Sequence, residues 1–109
     1  LACRYLESRG FAILARNFRS RAGELDIVAR EGETTVFVEV KERHGTSHGE
    51  AVEAVTFAKR QRIVRAARLF AAARGLSDAP LRFDVVAIDW IAADEPRIRH
   101  DRDAFGDAG

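Results

Sequence analysis

One run limits the fold more than any other. Residues 34–42 read Thr-Thr-Val-Phe-Val-Glu-Val-Lys-Glu, dense in β-branched residues and therefore strand-forming. Side chains alternate across a strand, so Val36, Val38 and Val40 point one way and Phe37, Glu39 and Lys41 the other. Both faces are apolar over most of the run, as in a strand covered on both sides. A chain built around it needs sheet neighbours for its edges and layers for its faces. Glu39 sits inside this run, and a buried carboxylate without a partner is costly.

A second run precedes it: Gly23-Glu24-Leu25-Asp26-Ile27-Val28-Ala29. The connection Glu31-Gly32-Glu33 predicts a hairpin between the two. Together they spell D-x12-E-x-K. Strict alternation places Glu24 and Asp26 on one face, and Glu39 and Lys41 on one face. Paired in register, three carboxylates and one ammonium would then converge. Such a patch can hold a hard divalent cation and activate a water beside it. Asp26 is a like charge for Glu39 and makes its burial worse unless a cation intervenes. The bland alternative is a solvent-facing pair, Glu39 with Lys41, at a strand end. Glu24 likewise reads either as a further ligand or as a surface acid beside a turn.

Elsewhere the punctuation is clear. Residues 1–9 read as a helix stopped by Gly10, and residues 11–19 as a strand. Residues 43–55 read as a loop. Thr56 can cap a helix that runs to about Ala73 and stops at Gly75. Its apolar stripe is Ile63, Val64, Ala67, Phe70 and Ala71, which sends Lys59, Arg62, Arg65 and Arg68 toward solvent. Residues 81–90 predict a fourth strand, 91–96 a turn, and 98–105 a short edge strand. The order implies one α/β domain over the 109 residues, a central mixed sheet flanked by helices. Asp84, within an apolar strand, predicts a structural salt bridge to an arginine of the basic helix. Trp90 reads as core or rim. His44 and His48, four apart in a polar loop, read as solvated rather than as zinc ligands.

A formal net charge of +1 hides a sharp segregation. Residues 24–54 hold eight acids against three bases, whereas residues 55–77 hold Lys59 and five arginines with no acid. An acidic pocket flanked by basic surface suits a phosphodiester around a metal ion. Arginine-rich helices are also often merely solvated. Cys3 alone excludes an internal disulfide and a cysteine-based zinc site, and it fits a reducing cytoplasm. No run approaches the ~18 apolar residues of a membrane span. The first helix starts at Leu1 without a preceding cap, so an N-terminally truncated helix is expected.

Several quoted runs go further: G-E-L-D-I-V-A, V-F-V-E-V-K-E-R, G-E-A-V-E-A-V-T, K-R-Q-R-I-V-R-A-A-R-L-F, R-F-D-V-V-A-I and I-R-H-D-R-D-A-F. In this order they resemble the YraN family of bacterial predicted nucleases. That family is similar to archaeal Holliday junction resolvases and to the restriction-endonuclease-like superfamily, with its PD-(D/E)-x-K signature. The resemblance implies a restriction-endonuclease-like fold and Mg²⁺- or Mn²⁺-dependent cleavage of DNA. It makes Asp26, Glu39 and Lys41 the catalytic set. Asp26, Glu39 and the main-chain carbonyl of Val40 become the metal ligands. It also implies a homodimer that pairs two sites. Resolvase-like relatives carry a further glutamate in the first helix, which falls upstream of this chain, and Glu7 does not match its position. Gln61 resembles polar residues that the superfamily places near its site. Glu42 stands where relatives often have threonine or serine. It would either pair with Lys41 and blunt catalysis or point to the opposite face.

Lys59, Arg62, Arg65 and Arg68 are the candidate nucleic-acid contacts, read by charge rather than by base. Two rival readings keep the fold without turnover: a nucleic-acid-binding module, and a protein-interaction domain whose arginine helix meets an acidic partner.

Overall fold

The structure is a computed structural model and describes residues 1–44 and 55–106. Its elements are α1 (Ala2–Ser8), β1 (Ala12–Ser20), β2 (Gly23–Glu31), β3 (Thr34–His44), α2 (Phe57–Ala73), β4 (Leu81–Ala92) and β5 (Glu95–Phe105). The five strands form one sheet in chain order, β1-β2-β3-β4-β5. All neighbours run antiparallel except β3 and β4, which are parallel. A parallel pair needs a crossover, and α2 supplies it. The sheet is mixed and the class α/β, consistent with a restriction-endonuclease-like fold.

Each face of the sheet carries its own apolar layer. On one, the α2 stripe of Ile63, Val64, Ala66, Ala67 and Phe70 packs on Leu25, Val28, Phe37, Phe83, Val85 and Ala87. Phe70 meets Phe18 edge-on at 5.2 Å, and Phe37 stacks on Phe83 at 5.5 Å. On the other face α1 lays Ala2 and Leu6 on Ile27, Ala29, Val36, Val38, Val86 and Ile88. The double cover explains why β3 reads apolar on both sides. Truncating the fully buried Phe70 to alanine would cost about 3–5 kcal/mol.

The ends of α2 follow local chemistry. Thr56 Oγ1 accepts from the Lys59 backbone N–H at 3.2 Å, which starts the helix. Gly75, at φ +69, ends it in a conformation that favours glycine.

Two predicted boundaries change. β5 begins at Glu95, so the edge strand is long and the expected turn over 91–96 contracts around Ala93 and Asp94. Pro96 lies within β5, and an edge strand tolerates its missing N–H. Arg43 and His44 belong to β3 rather than to a loop. Residues 45–54 of that predicted loop, His48 among them, lie outside the described residues, and Val55 is buried in the α2-side core.

Among the described residues no helix is long and apolar enough to cross a membrane.

Candidate functional site

The ladder between β2 and β3 stops at the pair Ile27 and Val38. Immediately beyond, Asp26 replaces the missing backbone partner: its Oδ2 accepts the Val40 N–H at 2.8 Å. A residue's N–H and C=O leave a strand on the same side. The Val40 carbonyl therefore also faces the gap where Asp26 sits.

Asp26 also marks a break in alternation. Leu25 packs in the α2 layer and Ile27, two residues on, in the α1 layer. Strict alternation would have put them on one face. Asn17, between the partners of those two residues on β1, takes φ +53. Both strands thus kink at this level. Simple alternation is broken here, yet Glu24 still lines one small cavity with Asp26 and Glu39. Glu24 is exposed and lies 3.5 Å from Arg19.

Glu39 and Lys41 keep the parity of Phe37 and project toward α2. Glu39 is 6% exposed. Its carboxyl lies within hydrogen-bonding reach of Asp26, and Lys59 Nζ comes to 2.8 Å from Oε2. That lysine is close but poorly directed, so the buried Oε2 has no hydrogen-bond partner. Burial, then the adjoining Asp26, pushes the Glu39 carboxyl up to about 7, against the opposing pull of Lys59. The neighbouring Lys59 ammonium, then burial, lowers the proton affinity of Lys41, while Glu39 and Asp26 oppose that change. For Lys59 burial acts downward, but the adjoining Glu39 carboxylate, with Lys41 beside it, outweighs burial, so its proton is held more tightly than usual. Four charged groups therefore act on one another: Asp26, Glu39, Lys41 and Lys59.

Lys59 corrects one expectation. The helical wheel sends it toward solvent with the arginines, yet its half-buried side chain leans over Glu39. Its four-carbon stem carries the ammonium from the first turn of α2 to the Glu39 carboxylate on β3. Arg62, Arg65, Arg68 and Gln61 are exposed, as the helical wheel predicts. Arg68 also makes an interaction within the chain. Arg62 lies beside the turn into β2, its Cβ 3.7 Å from where a Gly23 Cβ would stand. Glu42 points to the opposite face from Lys41 and accepts the Trp90 indole N–H at 3.0 Å. Trp90 is a half-buried rim residue, stacked on the exposed His44. Glu7 is exposed on α1.

Asp84 corrects another. Its partners are not on the basic helix. Arg82 donates to both carboxylate oxygens at 2.9 Å, His100 Nε2 sits 2.7 Å from Oδ2, and the Asp103 N–H donates to Oδ1 at 2.9 Å. Burial alone would raise this carboxyl, but the bonds from His100, Arg82 and Asp103 hold it well below the usual range. Arg82 also reaches Glu31, which Arg102 holds from its other side. This network lies on the α1 face and is saturated.

Among the described residues no group of three or more His, Cys, Asp or Glu side chains could hold a metal ion. Two carboxylates and a carbonyl are nonetheless a sufficient donor set for Mg²⁺, which keeps several waters of its own. The unpartnered Glu39 oxygen beside a second carboxylate fits such an ion.

The model of the "Uncharacterised protein family UPF0102" matches residues 1–88. The chain belongs to the UPF0102 family. A UPF0102 protein of Desulforapulum autotrophicum is 55% identical over 84 residues, covering 77% of this chain and 69% of that protein. One from Geobacter sulfurreducens is 48% identical over 105 residues, covering 96% and 82%. Another, from Rhodococcus jostii, is 49% identical over 105 residues, covering 96% and 89%. For UPF0102 the matched span contains Asp26, Glu39, Lys41 and Lys59, so the family model covers all four charged groups.

Proposed function

We propose that this UPF0102 chain is a nuclease of the restriction-endonuclease-like superfamily that hydrolyses phosphodiester bonds in DNA with Mg²⁺ or Mn²⁺. One observation carries the reading: a buried glutamate against an aspartate, its Oε2 facing the Lys59 ammonium at 2.8 Å without a well-directed hydrogen bond. Asp26, Glu39 and the Val40 carbonyl would hold the ion. When bound, the ion supplies Lewis-acid activation of water and of the phosphodiester. The Val40 N–H fixes the Asp26 carboxylate at the mouth of the opened ladder. Lys41, two residues beyond Glu39 on the same face, can steady negative charge on the phosphate. Its lowered proton affinity suits a group that exchanges a proton with the reacting oxygens. Arg62 and Arg65, exposed along α2, would follow backbone phosphates. Such contacts select shape and charge, which favours branched or otherwise unusual DNA. A homodimer would offer two sites to two strands.

A cleavage assay over linear, nicked, flapped and four-way DNA with Mg²⁺ or Mn²⁺ tests the reading. Wild type should cut at least one form, and Glu39→Ala and Lys41→Ala should each lose about 100-fold or more in rate. A wild type that cuts nothing, or variants that cut equally well, would overturn it. A second reading is favoured by Lys59, whose ammonium stands beside Glu39. In it the chain binds nucleic acid without turnover, and binding falls with salt but needs no metal.

A further inference from the structure

The metal reading leaves Lys59 unexplained. The sequence offers Lys41 as the ammonium of the site, yet the structure brings a second one closer to Glu39. Its place is fixed at the start of α2, where its own N–H caps on Thr56. Its side chain is 37% exposed and reaches solvent, whereas that of Glu39 is only 6% exposed. The 2.8 Å approach to Oε2 is made without a well-directed hydrogen bond. Geometry of that kind belongs to a point charge filling space near a carboxylate rather than to a specific donor.

Charge balance gives the consequence. Asp26 and Glu39 bring two negative charges, and Lys41 and Lys59 bring two positive ones. A divalent ion added to that set would meet two ammoniums already beside its ligands. Lys41 leaves the β3 backbone within the sheet, flanked by β4. Lys59, on a stem of the same length, leaves the first turn of α2 and is the ammonium in ion-pair contact with Glu39, 2.8 Å from Oε2. Of the two, Lys59 is the one that an ion on that oxygen must move.

We propose that Lys59 is a resident counter-cation: it neutralises Glu39 in the metal-free protein and must be displaced by the incoming divalent ion. This rests on the metal reading above. It adds that metal and Lys59 compete for one carboxylate, so that each weakens the other's hold. The displaced ammonium stays within one side-chain length of the site, where a substrate phosphate could take it up. Metal and nucleic acid would then favour each other's binding.

The test measures free Mn²⁺ by electron paramagnetic resonance during titration of wild type, Lys59→Met and Lys59→Arg. Melting curves are recorded with and without Mn²⁺. Lys59→Met should bind Mn²⁺ about tenfold more tightly than wild type, within the usual range of coupled sites. It should also melt lower without metal and gain more from added Mn²⁺. Lys59→Arg keeps the charge and should bind no more tightly than wild type. Equal or weaker binding by Lys59→Met, with wild type binding normally, overturns the counter-cation and leaves the metal reading intact. Failure of wild type itself to bind Mn²⁺ overturns both. Should Lys59→Met not fold without metal, Lys59→Gln serves in its place under the same criteria.

Discussion

Asp84 and Glu39 are both buried carboxylates, one register step apart on the parallel pair at the centre of the sheet. Asp84 faces α1 and Glu39 faces α2. Asp84 meets a guanidinium, an imidazole and a backbone N–H, and its affinity for a proton falls. Glu39 meets another carboxyl and one misdirected lysine, and its affinity for a proton rises. The same chemical group at nearly the same depth is satisfied in one place and left wanting in the other. Satisfaction is what a structural role requires, because an unpaired buried charge is destabilising. Among the described residues Asp101 Oδ2 also lacks a hydrogen bond, but it has an arginine 3.5 Å away, whereas the shortfall at Glu39 lies beside a second acid, the setting in which the proposed ion would bind.

The contrast breaks most visibly in stability. Asp84→Ala removes the shared acceptor of Arg82, His100 and the Asp103 N–H, and should cost about 3–5 kcal/mol in urea unfolding. Glu39→Gln should leave metal-free stability within about 1 kcal/mol of wild type, because it ends a like-charge contact while breaking one ion pair. If the two substitutions cost the same, the distinction between a satisfied and an unsatisfied carboxylate is wrong.

Their pH dependences should have opposite sign. Folded Glu39 holds a proton up to about 7, whereas the unfolded carboxyl releases it near 4.5. The folded state therefore binds more protons over that window, and metal-free stability falls as pH rises from about 4.5 to 7. Folded Asp84 gives up its proton more readily than the unfolded 3.8. Its contribution is complete above that value and is lost as pH falls through and below it. Glu39→Gln should flatten the first slope and leave the second. Thermal melts from pH 3 to pH 8, at about unit steps, would show whether only one slope responds.

The smallest effects sharpen the boundary of the site. Glu24 and Glu42 are exposed and engaged with Arg19 and Trp90. Glu24→Ala and Glu42→Ala should each change stability by less than about 0.5 kcal/mol. Neither should alter Mn²⁺ affinity. A tenfold loss for Glu24→Ala would restore it as a ligand.

Much of this was legible in the chain. The β-branched run of β3 and the apolar stripe of α2 between Thr56 and Gly75 signal their elements through local chemistry. Glu39 stood out because a charge inside a two-sided apolar strand conflicts with its surroundings. What stayed hidden was tertiary. Alternation cannot foresee the kink at Asp26, where a side chain stands in for the backbone ladder. A helical wheel sorts Lys59 with the arginines because it knows direction but not reach. The partner of Asp84 is not on the basic helix but is Arg82, two residues before it on the same face, a pairing that alternation alone allows. His100 lies inside the predicted edge strand 98–105, but its meeting with Asp84 depends on how β5 pairs with β4, which alternation does not supply.

The central claim is that Asp26 and Glu39 together form a cation site. Mn²⁺ titration calorimetry on wild type, Asp26→Asn and Asp84→Asn tests it most directly. Wild type and folded Asp84→Asn should bind one ion per chain, and Asp26→Asn should lose that binding. Absence of binding by wild type, or binding by Asp26→Asn as strong as wild type, would contradict the account.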